Sequence, residues 1–372
     1  MTGGVPVEAW SVALASLPGV GPARLRWLLG LDEPETVWHM VRAGSLPGRF
    51  APTIPDALSQ RWRASANSID AAVLWRAHVE AGIGVTTLGS ASFPVALADD
   101  DDPPALVFWS GDIDVLAGTR VAIVGTRRAT RYGIDVANDL GRALSEVGIS
   151  VVSGLALGID GAAHAGALAA DAAPPIAVVG SGLDRIYPRA HRALWRAVAE
   201  RGVVISEHPL GVPAAAWQFP ARNRIIAALS DVLVVVESQS TGGALGTAIE
   251  AARRGRTVLA VPGPVTAESS AGTNQLLFDG CGPARDVGDV LLALGREPER
   301  RRPAAERRRP PHGAARVVLE ALPWHAVSVE HVVTTTGIDL GAVILALECL
   351  ESDGWLTQRA GWIERLGRAS AR

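Results

Sequence analysis

Lysine is absent from this 372-residue sequence; every basic residue among its 35 is an arginine. The composition is the kind a GC-rich genome gives, and it excludes two chemistries: a lysine Schiff base and a lysine-dependent phosphate loop. Cysteine is scarce. Cys281 and Cys349 form no CxxC or metal-spaced pair, which predicts a reduced, cytoplasmic setting. No HExxH motif or paired cysteines are present, so no metal site and no cofactor are expected. No apolar run reaches transmembrane length, and the N-terminus lacks a basic-then-apolar signal pattern. A soluble, intracellular protein without a membrane partner is therefore expected.

Hydrophobic residues make up 48% of the chain and charged residues 20%, with a net charge of −3. That is a globular composition long enough for two or three domains. Because the global field is weak, any nucleic-acid role has to come from local patches.

Three zones separate by pattern. Residues 1–80 read as helical and tryptophan-rich, and "LPGVGPARLRWLL" (17–29) sets a Gly-Val-Gly turn before an amphipathic helix. This is the look of a helix-hairpin-helix; a turn between packed helices is the alternative. Residues 81–295 alternate short β-branched runs with helical periods. Strands are predicted at 121–124, 149–152, 176–179, 203–206, 231–236 and 257–261, with extensions near 83–88 and 105–109. Apolar strands alternating with helices predict an α/β, Rossmann-like parallel sheet covered on both faces. The Arg/Pro-rich run at 296–315 reads as a linker. Residues 316–372 read as three helices and a hairpin, a winged helix-turn-helix. Arginine is missing between Val317 and Gln358, where six acidic residues stand. Such charge suits protein contact better than a duplex groove, where phosphates need neutralising.

In an open parallel sheet, ligands sit beyond the carboxyl ends of the strands. After the strand 121–124 the sequence reads "GTRRATRYG": Gly125 for the turn, Thr126 as a hydroxyl donor, Arg127 and Arg128 as phosphate-gripping forks. The other strand ends deliver Ser153 and Gly154, then Phe219, Arg222, Asn223 and Arg224, then Thr241, Gly242 and Gly243. Arginines, hydroxyls, amides at helix N-termini and an aromatic are phosphate binders with scope for base stacking. Asp160 and His164, four apart on one helix, fit a structural hydrogen bond. Glu207 and Glu237 have no spaced nucleophile or second carboxylate, so no catalytic residues are predicted.

"VAIVGTRRATRYG", "SGLALGIDGAAHAGAL", "GSGLDRIYPRAHRAL", "SEHPLGVPAAAWQFPARNRIIAALSDVLVVVE" and "GRTVLAVPG" with "SAGTNQLL" together resemble the bacterial DNA-processing protein A (DprA/Smf) family. The resemblance covers nearly all of 121–290, in family order. It implies a non-enzymatic, commonly homodimeric protein that binds and shields single-stranded DNA and helps load a RecA-type recombinase in natural transformation. It carries phosphate contacts onto Gly125, Thr126 and Arg127, onto Phe219, Arg222, Asn223 and Arg224, and onto Ser153 and Gly154. The loop at Thr241–Leu245 and His191 depart from the family pattern. The competing expectation is a nucleoside-monophosphate phosphoribohydrolase: "TGGALGTAIE" is similar to the PGGxGTxxE segment of such enzymes, with Glu250 in the catalytic place. One inserted residue turns later helix positions by about 100°. A paralogue that binds DNA in another recombination role is the third reading.

Overall fold

The computed structural model describes residues 5–47, 54–297, 308–359 and 361–366. Two compact units form, residues 1–298 and 299–372. The first opens with five helices, α1 (Val7–Ala15), α2 (Pro22–Leu29), α3 (Pro34–Ala43), α4 (Asp56–Ser68) and α5 (Ala71–Glu80). Trp38 and Trp62 are fully buried among them, and the Trp62 indole N–H donates to the Pro18 carbonyl at 2.9 Å. This bond and the one from Arg24 to the Gly19 carbonyl hold the Gly-Val-Gly turn.

Next come β1 (Gly84–Thr87), α6 (Val95–Ala98), β2 (Leu106–Gly111), β3 (Arg120–Val124), α7 (Arg131–Glu146), β4 (Ser150–Ser153) and α8 (Ile159–Ala170). The chain continues through β5 (Ile176–Val179), α9 (Arg192–Arg201), β6 (Val203–Ser206), α10 (Gln218–Leu229), β7 (Val232–Val235) and α11 (Gly243–Arg253). It ends the unit with β8 (Thr257–Ala260), α12 (Ala271–Phe278), β9 (Gly282–Pro283) and α13 (Val287–Ala293). All eight predicted strands are present within two residues of their expected bounds, and the two-residue β9, too short to leave a pattern, is added.

The strands make one sheet in the order β1-β2-β6-β5-β4-β3-β7-β8-β9. From β6 to β9 every pairing is parallel; β1 and β2 add an antiparallel margin. Both faces are covered, as continuous apolar strands require. In β3, Ala122 and Val124 pack with α10 and α11 on one side, while Val121 and Ile123 pack with α7 and α8 on the other. The helices α1–α5 share a third cluster with β1, β2 and the β5–β6 end of the sheet, so their tryptophans bury against strands as well as each other.

The second unit holds α14 (Gly313–Ala321), β10 (Val327–Ser328), α15 (Val329–Thr336), α16 (Leu340–Ser352), β11 (Leu356–Arg359) and β12 (Trp362–Arg365). Its small antiparallel sheet has the order β10-β12-β11, over a core that includes Val318, Val332, Val343, Leu347 and Ile363. Much of the expected linker, 298–307, lies outside the described residues. No single helix among the described residues is long and apolar enough to cross a membrane.

Glycines set the closest packing on the sheet. A Cβ on Gly141 of α7 would lie 2.2 Å from the Ala163 carbonyl oxygen of α8, and one on Gly166 would lie 2.0 Å from the Asn138 oxygen. Backbone blocks both, so neither side can yield cheaply. Gly141→Val and Gly166→Val are each expected to destabilise the fold by about 1–3 kcal/mol or more through overpacking, read as a lower urea midpoint at unchanged m-value. Wild-type midpoints for both would contradict this packing.

Candidate nucleic-acid interface

The chain runs β3-β4-β5-β6 to one side of β3 and then returns to place β7-β8-β9 on the other. The switch point therefore lies between β3 and β7, where the loops from their carboxyl ends diverge and leave a crevice. A cleft of about 630 Å³ opens there, walled by the turn after β3, the start of α10, the loop after β7 and the start of α11. It gathers Gly125, Thr126, Arg127, Arg128, Phe219, Arg222, Asn223, Gly242 and Gly243. Nine of the residues expected from sequence thus come together from three separate segments of the chain.

The turn after β3 is braced by Glu237, just beyond β7 and only 2% exposed. Its carboxylate accepts from the Thr130 N–H at 2.9 Å and the Thr130 hydroxyl at 2.5 Å, and its carbonyl accepts from Thr126 N–H at 2.8 Å. Thr130 in turn caps α7 by accepting from Gly133 N–H. A Cβ on Gly125 would fall 2.5 Å from the Ile159 side chain, and one on Gly133 would fall 2.4 Å from the Glu237 carboxylate. These glycines serve close packing, while the exposed Arg127 and Arg128 point their charge outward. Arg127 lies over the Phe219 ring with its guanidinium carbon 4.5 Å from the centroid, and Tyr187 stands beside the same ring at 5.6 Å.

The floor is made differently. Arg222 is 6% exposed and donates to the Val178 carbonyl at 2.6 Å, so it is not an outward fork. Burial depresses its pKa while nearby Asp160 opposes the shift. Gly154 is a glycine because a Cβ there would sit 1.7 Å from that guanidinium. Its N–H donates to Asp160 at 3.1 Å, so Asp160 is spent on the backbone and is not bonded to His164. Burial raises the Asp160 pKa, offset in part by Arg222. Leu155, with φ 53°, takes a left-handed conformation rare for a bulky residue, held by complete burial and by His191 on its carbonyl at 3.0 Å.

The wall from α11 offers backbone. Gly242 precedes the helix with no side-chain cap; its own N–H donates to the Gln239 carbonyl at 3.0 Å, which leaves the amides of Gly243 and Ala244 as the helix-start donors at the cleft. Asn223 ties α10 to α11 by donating to the Gly243 carbonyl at 3.4 Å. Gln239 and Thr247 also line the cleft, with no motif to announce them. Glu250 does reach the wall despite the inserted residue, but Arg254 holds it at 2.5 Å and Arg253 at 3.2 Å.

Four expected residues lie outside the lining. Ser153 is fully buried and donates to the Ile123 carbonyl at 2.6 Å; Gly154 backs Arg222; Thr241 is exposed beyond the rim. Arg224 faces elsewhere, paired with Glu207 at 2.5 Å and with Asp102 at 2.9 Å. Asp102 also takes Arg26 of α2, and Asp100 takes Arg254, the residue that ends α11. Asp100 and Asp102, within the run of aspartates at 99–102, thus clamp arginines, a role with no signal in the sequence pattern. Among the described residues no group of three or more His, Cys, Asp or Glu is arranged to hold a metal ion.

The sequence profile of the DNA recombination-mediator protein A family matches residues 84–295. The chain belongs to this family. Its Mycobacterium tuberculosis relative, a DNA processing protein DprA, is 40% identical over 72% of this chain and 70% of its own length. The Bacillus subtilis DprA is 38% identical over 60% and 74%. The X-ray structure of Streptococcus pneumoniae DprA superposes with a TM-score of 0.64 at 28% identity, covering 76% of this chain and 97% of that one. The DprA of Helicobacter pylori, whose structure describes a single-stranded DNA binding mode, superposes at 0.51 with 31% identity, covering 56% and 95%.

Behind the cleft, burial pushes the His164 pKa down to about 3; the Ser153 backbone opposes this less strongly, and His191 and Arg222 add to it. The unfolded ring titrates near 6.5. Between about pH 6.5 and 3 the unfolded chain binds a proton that the fold refuses, so stability falls as pH falls through that window. His208, pushed to about 4 by burial, acts in the same direction. Replacing His164 with Phe should flatten the acid loss by up to one proton, approaching ~1.4 kcal/mol per pH unit. Urea midpoints at pH 7, 6 and 5 test it; an unchanged slope contradicts a buried neutral His164.

Proposed function

We propose that the protein binds single-stranded DNA at the carboxyl edge of the sheet. The observation that carries this reading is the cleft at the β3–β7 switch point. There two exposed arginines, an aromatic and an uncapped helix N-terminus meet on a floor already neutralised by its own buried pairs. Arg127, Arg128, Thr126 and the first amides of α11, at Gly243 and Ala244, hold phosphates, while Gly242 shapes the turn into that helix and Phe219 seats Arg127. Arg222, Asn223, Ser153 and Gly154 keep the cleft in shape. Arg224 contributes by fixing α10 to Glu207 and Asp102. The single-stranded DNA binding of the Helicobacter pylori relative supports the choice of ligand.

In this reading the protein shields DNA entering the cytoplasm during transformation and passes it to a RecA-type recombinase, without catalysing a reaction. It works as a homodimer through the sheet domain; Val265 and Phe278, 92% and 86% exposed near the two ends of α12, offer apolar contact for a second copy. The N-terminal helices act as a helix-hairpin-helix module and residues 316–372 as a winged helix for protein contact.

Labelled oligo-dT should bind more tightly than a duplex of equal length, with a log–log salt slope of about −0.7 per neutralised phosphate. Arg127→Ala should weaken binding and flatten that slope by roughly one contact. Arg224→Ala should leave the slope unchanged and instead cost about 3–5 kcal/mol of stability, because it strands Glu207 without its partner. Equal affinity for duplex and single strand would overturn the reading. Release of free base from AMP, abolished by Glu250→Gln, would establish a phosphoribohydrolase in its place.

A further inference from the structure

The aromatic expected to stack on DNA is already engaged. Phe219 is half-buried, carries the Arg127 guanidinium at 4.5 Å and has Tyr187 at 5.6 Å with an interplanar angle of 35°. These are favourable ring and cation–π spacings, so Phe219 is an inner support. The free π surface of the group lies further out, on Tyr187, which is 47% exposed and stands outside the residues lining the cleft.

Tyr187 is also held in place before any ligand arrives. Its loop is tied by Ser181 donating to the Arg185 carbonyl at 2.9 Å and by Gly182 N–H donating to the Val212 carbonyl at 2.9 Å. Asp184 accepts from Gly211 N–H at 2.8 Å. A surface tyrosine on a loop bonded to a neighbouring loop loses little freedom on binding. Exposed Arg189 flanks it in the chain and supplies charge for a backbone beside the ring; Arg185, also exposed, is paired with Asp184 at 3.1 Å.

We infer that Tyr187 is a base-stacking platform outside the cleft, taking the unpaired base of a nucleotide next to the one whose phosphate Arg127 grips. The inference rests on the single-stranded DNA reading and assigns it a second recognition element that reads a base face and not a charge. A paired base keeps its faces covered by its duplex neighbours, so this platform selects unpaired strand by a means independent of phosphate contacts.

The test is a double perturbation by fluorescence anisotropy on the full chain, using oligo-dT and an abasic deoxyribose-phosphate strand of equal length. Tyr187→Ala should weaken oligo-dT binding on the order of ten- to a hundred-fold, with the salt slope unchanged. Tyr187→Trp should bind near wild type. Tyr187→Leu, which keeps apolar bulk against Phe219, should behave like the alanine variant and separates stacking from collapse of the Phe219–Arg127 pair. The abasic strand should bind wild type more weakly than oligo-dT, and this difference should shrink in Tyr187→Ala. An undiminished oligo-dT preference in Tyr187→Ala and Tyr187→Leu would overturn the platform while leaving the DNA reading intact. Failure of the wild-type protein to bind oligo-dT would overturn both.

Discussion

The buried carboxylate of Glu237 is the bond on which the cleft depends. It sits just past β7 yet accepts two hydrogen bonds from Thr130, on the turn that leaves β3. Two strands adjacent in space but far apart in sequence are thereby locked at the point where their loops separate. Hydrogen bonds to a charged acceptor are worth about 1.5–3 kcal/mol each, and an unpaired buried carboxylate costs more than that. The turn has no inexpensive alternative conformation, so Arg127 and Arg128 project from a rigid base. A residue that looks like a general acid or base is a structural brace.

A second layer of charge fixes the walls. Asp100 and Asp102, in the run before β2, hold Arg254 at the end of α11 and Arg224 of α10, and Asp102 also holds Arg26 of α2. The two helices that wall the cleft and one N-terminal helix are thus tied to a single acidic loop. These partly buried pairs are costly to break singly. They also engage arginines that would otherwise compete for a polyanion, while Arg127 and Arg128 at the rim of the cleft stay exposed.

Much of the architecture was legible because parallel strands buried on both faces write themselves as apolar runs such as "VAIV" and "DVLVVV". The cleft was legible in outline for a different reason: the strand ends deliver polar or glycine-rich turns, and the order of the sheet brings those after β3 and β7 together. Individual roles were less accessible. Arg222 and Arg224 lie two apart on one helix with the same chemistry, yet one forms the floor and the other pairs with Glu207 away from the cleft. Arg222 is held by the Val178 carbonyl and Arg224 by Asp102, more than a hundred residues earlier, partners that no local pattern reveals. Gly154 looked like a phosphate turn, whereas its missing side chain makes room for Arg222. Tyr187 follows β5 in the chain, and its exposure relative to Phe219 is a property of packing alone.

The proposed site places the single strand at the carboxyl edge of the sheet, between β3 and β7. Photo-cross-linking of the full chain to single strands carrying 5-iododeoxyuridine at successive positions, followed by peptide mapping, tests it most directly. Adducts are expected to be confined to peptides containing residues 125–128, 187 and 219–223, and to be reduced when Arg127 is replaced by alanine. Adducts concentrated in residues 7–80 or 308–366, with the sheet edge unmodified, would contradict it.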